Sequence, residues 1–205
     1  MWSVKNVFFD VETTGLRPGQ ICQLSFIVEN EWKIEQAKNY FFTVDTMEEG
    51  AQKVHGMSKE WLAEKSGGLT FKDIYKEVHQ VFKEGRIIAH NVKFDEMFIS
   101  MELWRVGVSF RPADRQCTME FLKDVIKIPA RGRRQGKYKR PSLSEVVNYF
   151  DIDTNKIMAY SQQLFGAGDV GFHDSRFDTT AIYVATNIYR EKQSGGTEWQ
   201  KTFCR

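Results

Sequence analysis

Two acidic side chains, Asp10 and Glu12, lie one residue apart at the end of an apolar run near the start of the sequence. If residues 4–9 form a strand, its two-residue period directs both carboxylates to the same face, roughly 7 Å apart. Holding two like charges side by side away from water is unfavourable unless a cation neutralises them. The pair therefore indicates a shared divalent metal ion, and the alternative is two solvated acids at the end of a strand.

Two further acids lie in apolar surroundings, each near the start of a predicted helix. Asp95 falls in the first turn of a helix that leaves a buried strand. Asp178 lies one turn into a helix that Asp174 can cap, and His173 immediately precedes that cap. Taken singly, the acids are also typical of ordinary helix starts, and His173 is also typical of a packed or surface histidine.

The four carboxylates and the histidine share one chemical use when they are taken together. Carboxylate-rich sites select hard divalent cations such as Mg²⁺ or Mn²⁺ over the softer metals. Two such ions about 4 Å apart stabilise the attacking and leaving oxygens of an in-line phosphoryl transfer. Histidine is the side chain best suited to accept a proton near neutral pH, so His173 is the expected base for the attacking water.

The composition is typical of a globular protein. The chain has 205 residues, of which 41% are hydrophobic and 27% charged, which suits one domain and is too short for two full-sized ones. No window is apolar enough to span a bilayer, and the N-terminus lacks the order of a secretory signal, so we expect a cytoplasmic protein. Three widely spaced cysteines, Cys22, Cys117 and Cys204, argue against a disulfide framework and against a zinc site.

Basic residues are concentrated in one short stretch, residues 130–141. They are Arg131, Arg133, Arg134, Lys137, Lys139 and Arg140. The net charge of +2 does not by itself indicate nucleic acid, but this basic loop is expected to contact the phosphates of an incoming strand. A solvated, mobile loop has the same composition and is the alternative.

Hydrophobic periodicity predicts the elements that position these residues. The predicted strands are 4–9, 21–28, 32–43 and 87–89, with a hairpin turn at 29–31. The predicted helices are 58–65, one beginning near Thr70, 93–106, 117–125, 143–150 and 174–189. A strand meander followed by strands that alternate with helices predicts an α/β fold, in which a mixed sheet, antiparallel in the meander and otherwise parallel, is flanked by helices.

Four motifs in order resemble those of the DEDDh, or DnaQ-like, exonuclease family, which includes the proofreading subunits and domains of bacterial DNA polymerases. They are Asp10-Val11-Glu12-Thr13-Thr14-Gly15-Leu16, Val54-His55-Gly56-Met57, Ala89-His90-Asn91-Val92-Lys93-Phe94-Asp95, and His173-Asp174 with Asp178. The resemblance covers essentially residues 4–189. It implies a ribonuclease-H-like fold and a metal-dependent enzyme that removes 5′-monophosphates from the 3′ end of a nucleic acid.

The resemblance also implies a role for each matching residue. Asp10, Glu12 and Asp178 would hold two Mg²⁺ or Mn²⁺ ions. Asp95 would act mostly through bound water, and His173 would be the general base. The terminal nucleotide would be lined by Thr13, Thr14, Gly15, Leu16, His55 and Phe94. Ser175-Arg176 stands where many relatives have small or apolar residues, which leaves the local packing open.

Substrate and partner are left open by the sequence. DNA with single-stranded or frayed 3′ ends is the first expectation, and RNA, as in the oligoribonuclease and transfer-RNA-trimming relatives, is the second. A non-catalytic nucleic-acid-binding module that has kept the fold is the third. A proofreading role would require a DNA polymerase as partner, because no part of the chain resembles a polymerase domain. The oligomeric state is not indicated.

The domain prediction places the exonuclease domain at residues 1–193 and a flexible C-terminal tail at 194–205. The pair Gly195-Gly196 is typical of a flexible joint. Trp199 and Phe203 are spaced to share one face of a helix, so docking of the tail is the alternative to fraying.

Overall fold

A mixed β-sheet forms the centre of the computed structural model, which describes residues 4–16, 19–132, 135–166, 168 and 171–205. Its strands are β1 (Asn6–Thr13), β2 (Ile21–Asn30), β3 (Lys33–Phe41), β4 (Arg86–Ala89) and β5 (Asp114–Cys117). They are ordered β3-β2-β1-β4-β5. The first three strands pair antiparallel, and β4 joins β1 and β5 in parallel. The predicted fold class is confirmed.

The helices pack on both faces of this sheet. In chain order they are α1 (Glu49–His55), α2 (Lys59–Ser66), α3 (Phe71–Glu84), α4 (Val92–Arg105), α5 (Thr118–Ile126), α6 (Leu143–Tyr149), α7 (Thr154–Phe165), α8 (Ser175–Ser194) and α9 (Glu198–Phe203). Among the helices of the described residues, none combines the length and the apolar character that crossing a membrane requires.

Alternation along β1 divides its side chains between two cores. Val7, Phe9 and Val11 pack on one face with residues of α3 and α4. Phe8 lies on the other face, where it packs against Ile182 and Tyr183 of α8. Asp10 and Glu12 follow Phe8 at two-residue intervals, so the sheet directs both acids toward α8.

Helix α8 lies between the sheet and a second layer of helices. Every residue from Ser175 to Ile188 is buried. One side of the helix contacts β1 and β2, and the others pack against α6, α7 and α9. Because α8 is enclosed, the polar groups in its first turns require partners inside the protein, and the sheet provides them.

The first strand is longer than the sequence predicted. It extends to Thr13, so Asp10 and Glu12 lie within β1 rather than after its end. The extension is stabilised by β2, since Asp10 pairs in register with Ser25 and Glu12 with Gln23. A register shift follows between Glu12 and Thr13 and ends the regular pairing. The acids are therefore held by strand pairing rather than by a loop.

The hairpin turn also differs from the prediction, which placed it at residues 29–31. Strand pairing continues to Asn30 and Lys33, and the left-handed residues are Glu31 and Trp32, with φ of 47° and 67°. The guanidinium of Arg190 lies 5.6 Å from the centre of the Trp32 ring. This contact favours a turn that exposes the tryptophan over the turn centred on Asn30.

The segment predicted as a flexible tail is packed against the domain in the structure. Trp199 meets Tyr183 edge to face, with 5.3 Å between ring centres, and stacks on Phe203 at 5.4 Å. The amides of Trp199 and Gln200 donate hydrogen bonds of 3.0 and 3.2 Å to Glu191. The free energy gained by packing two aromatic rings exceeds the conformational entropy lost when the Gly195-Gly196 joint is ordered. The division at residue 193 stays a prediction.

Candidate active site

Three of the predicted site residues converge where β1 and the start of α8 meet. One ligand atom each of Glu12, His173 and Asp178 lie within 4.8 Å of one another. Asp10 lies on the same face of β1 as Glu12, and its pKa is raised by burial and then by the charges of nearby acids, among them Asp178 and Asp95. Residues 168 positions apart in the sequence thus form one cluster.

Asp95 reaches the cluster from the first turn of α4. Its carboxylate accepts a hydrogen bond from the backbone N–H of Val11, and its side chain is buried. This amide is available because the parallel pairing of β1 with β4 ends at Phe8 and Ile88, before β1 itself ends. The early end of β4 therefore opens the space in which Asp95 meets the other acids.

All four carboxyl groups have raised pKa values. Burial is the largest cause in each case. It raises the pKa of Asp95 and of Asp178 to about 7 and, with the charges of Asp178 and Asp174, that of Glu12 to about 9. The pKa of Asp10 is raised well above its ordinary value. The protein alone does not stabilise four negative charges here, so the cluster is suited to added positive charge.

One carboxylate oxygen in the cluster points to the same conclusion. Oδ2 of Asp178 accepts a 3.3 Å hydrogen bond from the backbone N–H of His173. Its Oδ1 is buried and has no hydrogen-bond partner among the described residues. A buried, unpartnered carboxylate oxygen is a free ligand atom, and hard divalent cations prefer such oxygens. The residues present therefore fit a divalent cation.

His173 is exposed and has a left-handed backbone, with φ of 65°. This conformation costs a non-glycine residue about 1–3 kcal/mol, so neighbouring contacts must hold it. The next residue, Asp174, accepts hydrogen bonds from Gln23 Nε2 at 3.0 Å and from the guanidinium of Arg176 at 2.9 and 2.6 Å. We refer to Gln23, Asp174 and Arg176 as the clamp.

The clamp is anchored to β2. Gln23 Oε1 accepts a 3.2 Å hydrogen bond from the backbone N–H of Ser175. The hydroxyls of Ser25 and Ser175 are 2.7 Å apart. The guanidinium of Arg176 packs on Phe41, 5.5 Å from the ring centre. Ser175-Arg176, whose local packing the sequence left open, thus connects the start of α8 to β2, the strand that pairs with Asp10 and Glu12.

A cleft of about 350 Å³ opens beside the carboxylates. It is lined by five of the six residues expected around a terminal nucleotide: Thr13, Gly15, Leu16, His55 and Phe94. The sixth, Thr14, is buried, and its hydroxyl accepts a 3.0 Å hydrogen bond from the amide of Gln20. Leu16 is 81% exposed, an unusual position for a leucine that contributes nothing to the core.

His55 forms the floor of the cleft in a neutral state. Its Nδ1 accepts a 3.1 Å hydrogen bond from the amide of Met57, and its Nε2 lies 3.3 Å from the carbonyl of Thr13. These partners assign the proton to Nε2. Burial is the largest cause of its lowered pKa. His55 is therefore a structural donor to the loop that carries the threonines.

At its C-terminal end, the basic loop forms ion pairs with acids of the neighbouring helices α5 and α6. Lys139 pairs with Glu145 at 2.6 Å, and Arg140 pairs with Glu120. Arg131 and Lys137 are exposed. Arg133 and Arg134 lie outside the described residues. Contact of this loop with an incoming strand stays a prediction.

Two kinds of site residue were missed in the sequence. Gln23 and Ser25 interrupt an otherwise apolar strand two residues apart, and that interruption was a usable signal. Glu48, Gly50, Ala51 and Val54 complete the wall of the cleft. They belong to α1 or precede it, and α1 has no buried residue, so no periodic pattern marked it.

Comparison with known proteins gives a consistent result. The profile of the exonuclease family RNase_T matches residues 7–157. The DNA polymerase III subunit epsilon of Rickettsia prowazekii is 32% identical over 174 residues, which are 82% of this chain and 69% of that protein. The same subunit from Rickettsia felis is 32% identical over 108 residues, which are 50% of this chain and 46% of that protein.

Solved structures share the fold at low sequence identity. Exonuclease I of E. coli in complex with a dT13 oligonucleotide has a TM-score of 0.65 and 13% identity, over 94% of this chain and 42% of that one. Exonuclease X in complex with 5′ overhanging duplex DNA has a TM-score of 0.61 and 16% identity, over 97% of both chains. The chain therefore spans less than half of exonuclease I and of the R. felis subunit.

Proposed function

Because this chain belongs to the RNase_T exonuclease family, in its DnaQ-like group, we propose that it hydrolyses DNA from single-stranded or frayed 3′ ends and releases 5′-mononucleotides. The family predicted from the sequence is thereby confirmed. One observation carries the proposal: four buried carboxylates and an exposed histidine meet beside a cleft of about 350 Å³. This combination provides cation ligands, a base and a place for one nucleotide.

The proposed cofactors are two divalent cations, Mg²⁺ or Mn²⁺. When bound, such ions stabilise the charge on the attacking and leaving oxygens of phosphoryl transfer. Asp10, Glu12 and Asp178 would hold them directly, and Asp95 would do so through water. Support comes from the unpartnered Oδ1 of Asp178 and from the raised carboxyl pKa values, which added positive charge would lower.

His173 is the proposed general base. A ring nitrogen accepts the proton of the attacking water and passes it to solvent, which the exposed ring reaches. The ring must be aimed at the carboxylates for this step, and two kinds of contact fix its backbone. The His173 N–H donates to Asp178, and the clamp holds the next residue. The base and a metal ligand are thus positioned by one hydrogen bond.

The cleft is the proposed place of the 3′-terminal nucleotide. Leu16 stands exposed at its edge, where it would pack against the last base. Phe94 also lines the cleft, and its ring contacts that of Phe98 at 4.9 Å between ring centres. Gly15 is a buried part of the cleft lining, where an added Cβ would meet the flexible end of the Glu48 side chain. Restriction to one terminal nucleotide favours exonuclease over endonuclease action.

The direct test is digestion of 5′-labelled single-stranded DNA and RNA of equal sequence with Mn²⁺, using Asp10→Ala as the control. A ladder that shortens from the 3′ end, and that the control variant does not produce, is the expected result. Faster digestion of RNA than of DNA would show that RNA, rather than DNA, is the preferred substrate. Binding without cleavage of either strand, in the presence of metal, would contradict the proposal and favour a binding module.

The Rickettsia relatives are named as DNA polymerase III subunits, and on that ground we include association with a DNA polymerase in the proposal. The test is whether a replicative polymerase and this chain co-elute in size-exclusion chromatography, and whether mismatched 3′ ends are then removed faster. Separate elution together with unchanged rates would contradict association and leave a free-standing exonuclease.

A further inference from the structure

A second pocket lies on the other side of the first turn of α4. It has a volume of about 210 Å³. Three cationic side chains line it, Lys93, Arg115 and Arg140, and we call it the basic pocket. The three come from separate elements, namely α4, β5 and the end of the basic loop. Chain segments distant in sequence thus bring positive charge to one place.

The acids at the basic pocket do not neutralise it. Arg115 pairs with Glu96 at 3.1 Å, and Arg140 pairs with Glu120. Both arginine side chains remain about half exposed, at 51% and 52%, so their other N–H donors face solvent. Lys93 is exposed and makes no ion pair with any residue that the structure describes. Three cations and two acids leave a net positive charge at the pocket. Solvated ion pairs contribute little to stability, so a phosphate can replace a carboxylate as the partner of either arginine at little cost.

The backbone at the pocket adds to this charge. Asn91 is the N-cap residue of α4, but its side chain makes no capping hydrogen bond. The amides of Val92 and Lys93 at the start of this 14-residue helix therefore receive no acceptor from the N-cap side chain, whereas the amide of Phe94 donates to the Asn91 carbonyl at 2.8 Å. They form the positive end of the helix dipole, beside the three cationic side chains. The pocket is suited to an anion, and its volume holds about seven waters at about 30 Å³ each, enough for a hydrated phosphodiester.

The basic pocket adjoins the cleft of the candidate active site. Lys93 lines the pocket, and its neighbour Phe94 lines the cleft. Neighbouring Cα atoms are about 3.8 Å apart, and the two side chains leave the helix on different sides. A strand whose last nucleotide occupies the cleft therefore has its next phosphates within reach of the pocket.

Another pocket beside the site is less suited to this role. It has a volume of about 210 Å³ and lies next to His173, with Arg176 as its lining cation. The guanidinium of Arg176 is bound to Asp174 by hydrogen bonds of 2.9 and 2.6 Å, and both side chains are largely buried. That cation is neutralised within the protein. The charge available to a strand lies on the Lys93 side.

We propose that the basic pocket binds a backbone phosphate of the substrate strand, one to three nucleotides upstream of the bond that is cut. The proposal rests on the proposed function, because it takes the cleft as the place of the terminal nucleotide. It predicts a division of labour. The cleft and carboxylates perform the cleavage, and the basic pocket determines how strongly a chain longer than one nucleotide is held.

The first measurement is the salt dependence of binding in EDTA, where no cleavage occurs. Fluorescence anisotropy with a 5′-labelled oligothymidylate gives Kd between about 50 and 200 mM salt. Each phosphate contact on a single strand contributes about 0.7 to the slope of log Kd against log salt. Because the pocket is proposed to bind one phosphate, the double variant Lys93→Met/Arg115→Met is expected to lower the slope by about 0.7. The charge-preserving variant Lys93→Arg/Arg115→Lys is expected to keep it.

A matched control is available at the opposite end of the sheet. Lys83 is exposed on α3, three residues before β4 begins, whereas the basic pocket lies where β4 ends. Lys83→Met removes one positive charge without touching the pocket. Its slope and Kd should equal those of the wild type. An equal decrease for Lys83→Met and Lys93→Met would show that total charge alone governs binding, and would overturn the proposal.

The second measurement separates the pocket from the chemistry. The nitrophenyl ester of thymidine 5′-monophosphate has a single nucleotide and cannot reach the basic pocket. The double variant should hydrolyse it at the wild-type rate in Mn²⁺, while KM for a five-nucleotide strand rises about tenfold and kcat stays unchanged. Equal wild-type KM values for the single-nucleotide ester and the five-nucleotide strand would overturn the proposal that the basic pocket binds the strand. Failure of the wild type to hydrolyse either compound would instead refute the exonuclease proposal.

Discussion

The carboxylate cluster and the basic pocket lie on two sides of one helical turn, and they treat charge in opposite ways. The cluster gathers buried acids with raised pKa values and no protein cation among its predicted ligands. The basic pocket gathers exposed cations in solvated ion pairs. Buried like charges are electrostatically unfavourable unless cations neutralise them, whereas exposed charges cost little because water solvates them.

The difference indicates why one substrate would need two kinds of recognition. A phosphate that reacts must be positioned within a fraction of an ångström, which buried, hydrogen-bonded ligands achieve. A phosphate that is only held, and that must move on after each cut, suits long and solvated side chains. Variants on the two sides should therefore separate cleavage from strand binding.

Asp10→Asn should give the largest effect and the sharpest contrast between the two regions. It removes a central charge of the cluster, and metal-ion stabilisation is worth several kcal/mol, so cleavage in Mn²⁺ should fall by about 10³-fold or more. Binding of an oligonucleotide in EDTA should keep the wild-type salt slope, because the basic pocket is intact. Steady-state hydrolysis and anisotropy measure the two quantities. Cleavage within tenfold of the wild type would remove Asp10 from the proposed ligands.

His173→Ala should give the next largest effect. Loss of a general base lowers kcat by about 10² to 10⁴, but the carboxylates remain. Calorimetric titration with Mn²⁺ should therefore give near wild-type affinity. His79→Ala is the matched control, since His79 lies on α3 and is not among the residues that line the cleft. Normal kcat in His173→Ala would contradict the assignment of the base.

Arg176→Lys tests whether the clamp contributes to the cleavage side. The substitution keeps the positive charge beside Asp174 but removes the two-pronged contact at 2.9 and 2.6 Å. Mutation of a residue that supports the site in this way typically lowers activity by about 10- to 100-fold, so kcat for the single-nucleotide ester should fall by that factor. KM and the salt slope should not change. A rise in KM alone would show that Arg176 acts on the substrate and not on His173.

The smallest effect expected is on the stability of the metal-free protein. Asp95 and Asp178 have pKa values raised to about 7, and Glu12 has one raised to about 9, against about 4 in an unfolded chain. Between these values the folded state binds more protons than the unfolded state, so stability falls as pH rises. The contribution is complete below about pH 4 and is lost progressively up to about pH 9.

Thermal unfolding in EDTA should therefore give a lower Tm at pH 8 than at pH 5, by several degrees. Saturating Mn²⁺ should raise Tm more at pH 8, because the ions replace the missing protons. Asp178→Asn should weaken the pH dependence, since one of the raised carboxyl groups is gone. The basic pocket contributes nothing to it, so Lys93→Met should unfold like the wild type. Equal Tm values at both pH values would contradict the raised pKa values.

The sequence predicted local features of the site well. The period of β1 placed Asp10 and Glu12 on one face, and the N-cap at Asp174 marked the start of α8. The fold class followed from the order of the predicted strands and helices, and the family followed from the order of the motifs. These features depend on residues close together in the chain, whose spacing is visible without knowledge of the fold.

Features that depend on distant contacts were not visible. Strand β5 is short and polar, and it forms because β4 offers it a parallel edge. Helix α1 has no buried residue to mark its period. Helix α9 is six residues long and is held by aromatic contacts with α8. The clamp joins β2 to a helix about 150 residues later, so no local pattern could indicate it.

The distance along the chain between Asp10 and Asp178 has a consequence for synthesis. A ribosome adds about 5–20 residues per second, so roughly 10 to 30 s separate the appearance of Asp10 from that of Asp178. During that interval β1 lacks the helix that covers one of its faces, and the nascent chain lacks both His173 and Asp178. The complete set of carboxylates and histidine can therefore form only after the start of α8 has been synthesised.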